Sequence, residues 1–375
     1  MSTKINVRSP YFVTVQDTNL AAVEFDLRIW NGDITSGRPS TATYSFTKNA
    51  VGTNDYIMFE IADYVRDYIE TEYADYATNA VWVEWSYQMY SDIARTTTIG
   101  SQVTADEVIA VDGYGYFEEG INPELRRDIL QSNTDIYYQD GNDIVFPVFV
   151  EDISTVELNL QSGTPVKWED VSDFWEDNYA TWDAGNIDIS LPDSNDSNYK
   201  IKYIKITNTD NLPDGQTVVI DNGLSSELTI TLHKICEPKH TPYRIVFYNK
   251  FGAMQELTFF KRSNKQINVS SDGYKRNIIA YDSGATYNAS KHQLKSFNVN
   301  GKENITLNTG FLPENFNDVM RQLMLSEEVW IIEGSDVLPV KPVTNSLQFK
   351  TSVNDKVINY TLDFEYAFDK INSVR

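Results

Sequence analysis

The sequence predicts a mainly β protein of two to three antiparallel β-sandwich-like domains carrying one or two short amphipathic helices. Three observations lead there. The stretch VINYTLDFEYAF places Ile358, Tyr360, Leu362, Phe364, Tyr366 and Phe368 on one side of an extended chain. Val357, Asn359, Thr361, Asp363 and Glu365 fall on the other, the pattern of a strand with one face buried and one wet. Aromatic content is 13%, with 23 Tyr and 18 Phe, residue types that favour strands and interfaces. Apolar residues at helical three-and-four spacing recur in only two clear stretches.

At 375 residues the chain exceeds one ordinary hydrophobic core. Its patterns divide it into an N-terminal β-sandwich with one helix (1–120), a connector (121–140), a middle β domain with an aromatic, acidic loop (141–236) and a C-terminal β domain with one helix (237–375). In the first region VEFDLRIW alternates and Asn31-Gly32-Asp33 supplies turn chemistry. TATYSFTK, YIMFEI and AVWVEWSYQMY read as further strands, the last with Trp82 and Trp85 on opposite faces. Between them Ile61, Tyr64, Val65, Tyr68 and Ile69 predict a helix from about Ile61 to Tyr73. In the connector, Pro123 can start a short helix through PELRRDIL.

IVFPVFV opens the middle region as a strand, placed at a sheet edge by Pro147, which has no N–H to give a second neighbour. YKIKYIKITN, QTVVIDN with a turn at Asp221-Asn222-Gly223, and LTITLHKI follow. TPYRIVFYN, a turn at Lys250–Gly252 and AMQELTFF predict a hairpin. Residues 263–308, rich in Asn, Ser and Lys, read as strands with long loops. Pro313 is expected at the first position of a helix reaching about Ser326, with a stripe of Phe316, Val319, Met320, Leu323 and Met324. EVWII, SLQFKT and the last strand complete the region, the final two joined by a turn at Val353-Asn354-Asp355-Lys356. Phe316, Val319, Leu323, Tyr360, Leu362 and Phe364 are the expected core supports.

The 54 acidic against 31 basic residues give a formal charge of −23. Such a surface repels phosphate backbones and keeps a Tyr-rich protein soluble, so no nucleic-acid binding is expected; recruitment of divalent cations is the sharper alternative. Cys236 is the only cysteine and reads as a small core residue. The N-terminal residues lack the apolar stretch of a secretory signal, and no run approaches the ~18 apolar residues of a membrane span. The protein is therefore expected to stay in the cytosol or to leave it by lysis.

Candidate sites compete with plainer roles. His233, Cys236 and His240 lie within eight residues, but no CxxC accompanies them, structural zinc needs four ligands, and an extended chain turns His233 and Cys236 to opposite faces. No metal or cofactor is expected. Glu118-Glu119 and Glu176-Asp177 are carboxylate pairs of the kind glycan hydrolysis uses, yet with 54 acidic residues such pairs arise by chance. PDSNDSN lacks the turn Gly and final Glu of a helix–loop–helix calcium site. Gly113-Tyr114-Gly115 lacks the third Gly of a dinucleotide loop. Trp168, Trp175 and Trp182 sit seven apart in an acidic stretch. We read them as contacts between subunits, since Trp anchors interfaces; stacking on host glycans is the alternative.

One segment, ICEPKHTPYRIVFYNKFGAMQELTFFKRS, resembles a pattern recurrent in structural proteins of tailed bacteriophages that infect Bacteroidota, crAss-like phages included. The match rests on Cys236, Thr241, Pro242, Asn249, Gly252, Ala253, Phe259, Phe260 and Lys261. In it Pro242 stiffens strand entry, while Asn249 and Gly252 are residue types that tolerate the positive φ a tight turn needs. MLSEEVWI and PVTNSLQFKTSVNDKVINYTLDFEYAFDKIN are similar to the same group, and RSPYFV and DGYGYFEEGIN match it more loosely. The resemblance implies a virion component of the tail, a ring or baseplate part assembled in the host cytoplasm. It brings no catalytic residues; from the Tyr- and Trp-rich surfaces we expect a homo-oligomer that also contacts other tail proteins. High charge should leave the protein monomeric or weakly associated until it enters the particle. A tail-borne adhesion module and a tail-borne hydrolase are the alternatives.

Overall fold

The computed structural model describes residues 4–149, 155–159, 166–169, 180–181, 188–190, 201–221 and 228–371, less 32–33, 35–36, 53–54, 70, 72, 74–75, 77–79, 125–128, 208, 210–211, 236–238, 282–283, 345 and 349–357. The fold is mainly β, with several antiparallel sheets and two α-helices among those residues. Two compact units interleave along the chain. The first takes Met1–Cys236, Val246–Leu257 and Asn315–Glu328; the second takes Glu237–Ile245, Thr258–Glu314 and Val329–Arg375.

The first unit opens with β1 (Lys4–Asn6), β2 (Phe12–Gln16), β3 (Ala22–Trp30), β4 (Tyr44–Asn49), β5 (Tyr56–Glu60), α1 (Ala62–Arg66), β6 (Ala80–Tyr90), β7 (Thr98–Thr104) and β8 (Val108–Val111). One sheet runs β1-β8-β6-β3-β4, with β7 also on β6, and β2 and β5 form a separate pair. Val13, Val15, Ile57 and Phe59 of that pair share a core with Val23, Phe25 and Leu27 of β3. The Phe25 and Phe59 rings stack at 4.4 Å. This is the expected sandwich, with one parallel pairing, β1 to β8, among its antiparallel ones. Trp82 and Trp85 of β6 do face apart: Trp82 packs with Trp30 and Phe149, Trp85 on the sandwich core.

Helix α1 stops at Arg66, well short of Tyr73. Tyr68 N–H and Ile69 N–H bond back only three residues, to Val65 O and Arg66 O, so the chain tightens out of the helix. The segment is rich in Tyr, β-branched and Asp residues, which have poor helix propensity. Ile69 still packs on the sandwich core.

The middle strands are β9 (Asp135–Tyr138), β10 (Ile144–Phe149), β11 (Thr155–Asn159), β12 (Val166–Glu169), β13 (Ala180–Thr181), β14 (Asp188–Ser190), β15 (Ile201–Thr207), β16 (Gln216–Asp221) and β17 (Leu228–Lys234). They make two sheets, β10-β15-β14-β13 and β12-β11-β16-β17-β9. β10 lies at an edge, as Pro147 requires. Phe146, Val148, Ile204, Ile206, Val218, Ile220, Ile230 and Leu232 fill the core. The connector is not only a linker: its end is β9, parallel to β17. The short helix from Pro123 falls largely on 125–128, outside the described residues, as do Gly32-Asp33, Asn222-Gly223, Cys236 and the Val353–Lys356 turn.

The remaining elements are β18 (Tyr243–Tyr248), β19 (Met254–Phe259), β20 (Asn264–Lys275), β21 (Ile279–Ala280), β22 (Thr286–Tyr287), β23 (Leu294–Leu312), α2 (Phe316–Leu325), β24 (Val329–Glu333), β25 (Asp336–Pro342) and β26 (Ile358–Tyr366). β18 and β19 are neighbours, the expected hairpin. Its turn, Lys250–Gly252, belongs to the first unit, as does α2. Gly252 has φ +73°, and a Cβ there would lie 2.7 Å from Val111 Cβ. Asn249 does not share the positive φ. It is fully buried, and its side chain ties the turn together. Its Nδ2 donates to Leu130 O (2.6 Å) and Gln255 Oε1 (3.1 Å), and its Oδ1 accepts from Phe251 N–H (3.0 Å) and Ala253 N–H (3.3 Å).

Helix α2 begins at Phe316, so Pro313 lies ahead of it and not at its first position. The residue preceding the helix, Asn315, directs its amide to Asp135 Oδ2 at 2.7 Å. The expected stripe holds, with Phe316, Val319, Met320 and Leu323 buried.

In the second unit β24, β25, β26, β23 and β20 are adjacent in that order. β26 alternates buried and outward residues over Ile358–Tyr366, with Tyr360, Leu362 and Phe364 inward. Phe259 meets Phe364 edge-on at 5.9 Å. A bulge sets Thr309 and Gly310 against Tyr360 alone, and Thr309 Oγ1 accepts the Tyr360 N–H at 3.0 Å.

Candidate functional site, an exposed two-stranded arm

Residues 263–308, read as strands with long loops, form two long paired strands joined by an 18-residue connection that carries only the two-residue strands β21 and β22. β20 and β23 pair from Asn264↔Thr306 out to Lys275↔Leu294. β26 accompanies β23 only as far as Asn304↔Glu365. Just beyond, Lys370 N–H donates to Gly301 O at 2.7 Å. From Ser270 and Val299 outward the strands stand as a ribbon, and every residue of β20 is exposed. At ~3.3 Å per residue, Ser270–Lys275 alone projects by roughly 20 Å before the tip.

The arm is locally braced. Asn298, at φ 50°, and Val299 oppose the single residue Ser271, a bulge that bends the ribbon. Asn298 Nδ2 donates to Asp272 Oδ2 at 3.1 Å. The Tyr274 and Phe297 rings touch edge-on at 5.8 Å. At the tip β21 pairs β22, and Asn288 Oδ1 accepts from Ser290 N–H at 2.9 Å. The sequence Gln266-Ile267-Asn268-Val269-Ser270 has strand alternation, yet Ile267 is 51% exposed and Val269 64%. Tyr281 and Tyr287 are each 71% exposed, Leu294 73% and Phe297 51%. β20 is also the end strand of its sheet. A long edge strand with apolar side chains is a template for another chain.

The arm's charge opposes that of the protein. Asn264–Leu312 holds six Lys/Arg against three Asp/Glu, a formal +3 on a chain of −23. Cations at the root are already neutralised: Lys265 lies 2.8 Å from Glu333, and Lys302 3.4 Å from Glu365. Lys275, Arg276, Lys291 and Lys295, farther out, have no acidic partner among the described residues.

Other candidates are taken up by structural contacts. His233 Nε2 lies 2.8 Å from Asp135 Oδ1, and its ring stacks on Tyr137 at 4.9 Å. The bond from His233 holds the Asp135 carboxyl below its ordinary range against the effect of burial. Glu119 pairs with Lys250 at 2.7 Å and accepts the Tyr116 N–H at 2.8 Å. The Gly-Tyr-Gly backbone is also engaged: Arg8 N–H donates to Gly113 O (3.0 Å), and Gly115 N–H to Ser9 Oγ (2.8 Å). Buried Glu84 is gripped by Arg38 (2.6 Å) and Arg28 (3.2 Å). Trp168 lies in β12 opposite Val156, its side chain outside the described residues. Trp175, Trp182, Glu176 and Asp177 lie wholly outside them.

Asp112, just past β8, is buried, and burial raises its pKa to about 6 although Arg8 and Arg66 pull it down. A raised carboxyl pKa means the folded state gains stability as pH falls from about 6 toward the unfolded value near ~3.9. Asp112→Asn is therefore expected to stabilise the protein by about 2–3 kcal/mol at pH 8. The gain should fade toward zero near pH 4; urea unfolding at both pH values checks this.

No protein-family model matches the chain, and no curated protein sequence matches it.

Proposed function

We propose that this chain is a structural component of a phage tail, a ring or baseplate part that assembles in several copies, connects tail parts and turns over no substrate. The observation that carries this reading is the arm, an ordered ribbon that leaves large apolar side chains and an unpaired strand edge in water. Covering ~500 Å² of such surface is worth roughly 12 kcal/mol before the cost of association. Leaving it uncovered invites aggregation. The resemblance of the β18–β19 hairpin sequence to phage structural proteins supports the same reading.

The test is to purify intact particles and locate the protein by mass spectrometry and gold-labelled antibody. It is expected in stoichiometric amounts on the tail. Finding it only in infected cytoplasm would refute the proposal.

A further inference from the structure

We infer that the arm seats on a second copy of this chain, in a head-to-tail contact that joins its outer cations to the neighbour's acidic surface. The inference deepens the assembly reading above and rests on it. Charge selects the occupant. Outside Asn264–Leu312 the chain holds 25 Lys/Arg against 51 Asp/Glu, a formal −26, so each copy offers an abundant acidic surface. Lys275, Arg276, Lys291 and Lys295 are exposed and lack acidic partners among the described residues. At physiological salt, charges more than about 8 Å apart are largely screened. Local attraction at the arm therefore outweighs repulsion between two net-negative copies. The same cations disfavour pairing one β20 edge with another, since that would set basic arm against basic arm. A contact between unlike surfaces, repeated, gives a ring if the rotation closes and a filament if it does not. Nucleic acid is the weaker fit, because four cations release few counterions and the rest of the chain repels phosphate.

The full chain, mixed as equal parts ¹⁴N- and ¹⁵N-labelled protein at about 100 μM, is treated with a zero-length carbodiimide cross-linker. At that concentration a contact with Kd near 10 μM is mostly occupied. Mixed-isotope links are expected from Lys275, Lys291 and Lys295 to Asp or Glu outside the arm. Self-association, followed by sedimentation velocity at the same concentration, should weaken at least tenfold in Lys275→Glu/Lys291→Glu/Lys295→Glu, a surface variant whose circular dichroism should match the parent. Absence of mixed-isotope links from these lysines overturns the inference, as does self-association that survives charge reversal. Binding of a 30-nucleotide single strand that the triple variant loses also overturns it, in favour of a nucleic-acid occupant. If the protein is found on tails while these links are absent, the assembly reading stands and a different tail protein covers the arm. If the links form while the protein is missing from particles, the failure belongs to the tail assignment alone.

Discussion

Replacing Asn249 by alanine is expected to cost about 3–5 kcal/mol and to destroy the cooperative unfolding of the first unit. Four hydrogen bonds converge on this buried amide, two donated and two accepted. Alanine leaves Leu130 O and the Phe251 and Ala253 N–H groups without those partners in a site closed to water. Each stranded group costs about 1–3 kcal/mol. The damage spreads, because Gln255 Nε2 also donates to Asn133 Oδ1 at 2.8 Å, and Gln131 Nε2 to Asn133 O at 3.0 Å. Asn249→Asp is the informative companion. It keeps the shape and both acceptor roles but loses the two donors and buries a charge, so it should be at least as harmful. A turn that needed Asn249 only for its backbone angle would tolerate aspartate well, and urea unfolding of both variants decides.

Gly310→Ala is expected to cost the second unit a similar 3–5 kcal/mol. Gly310 has φ +76° in the β23 bulge, and an added Cβ would lie 2.6 Å from Phe260 Cζ. Two costs combine: a left-handed backbone unfavourable to alanine, and a buried ring with nowhere to move. Phe260→Ala should rescue part of the loss. The double variant should therefore be less destabilised than the sum of the singles, by ~1 kcal/mol or more. Strict additivity would mean the ring is not the obstacle.

Much of the β architecture is legible in the sequence because it is local. The alternation of β26 reports a face that is buried, and Pro147 reports an edge, since a missing N–H can be tolerated only there. The α2 stripe is legible for the same reason, although its start is not: Asn315 spends its side chain on Asp135, far away in sequence. Asn249 and Gly252 look alike to turn chemistry, and only tertiary packing separates them, one a buried hydrogen-bonding hub and the other a close approach to Val111. The same non-locality groups α2 and the Lys250–Gly252 turn with the first unit, whereas sequence patterns place them in the C-terminal region.

The arm is the main feature that sequence reasoning passes over. Its alternation implies a buried face, yet Ile267 and Val269 are exposed, because β26 ends before it reaches them. The legible signal is electrical: a segment with more lysine and arginine than aspartate and glutamate within a strongly acidic chain. The three tryptophans expected to carry contacts between subunits lie where no described side chain can speak for them.

Amide hydrogen exchange of β20, compared between purified protein and isolated tails, tests most directly whether the arm exists to be covered. Outward-facing amides of Ser270–Lys275 should exchange rapidly in the free chain and be protected at least a hundredfold in the assembled tail. Equally rapid exchange in both states would contradict an arm built for assembly.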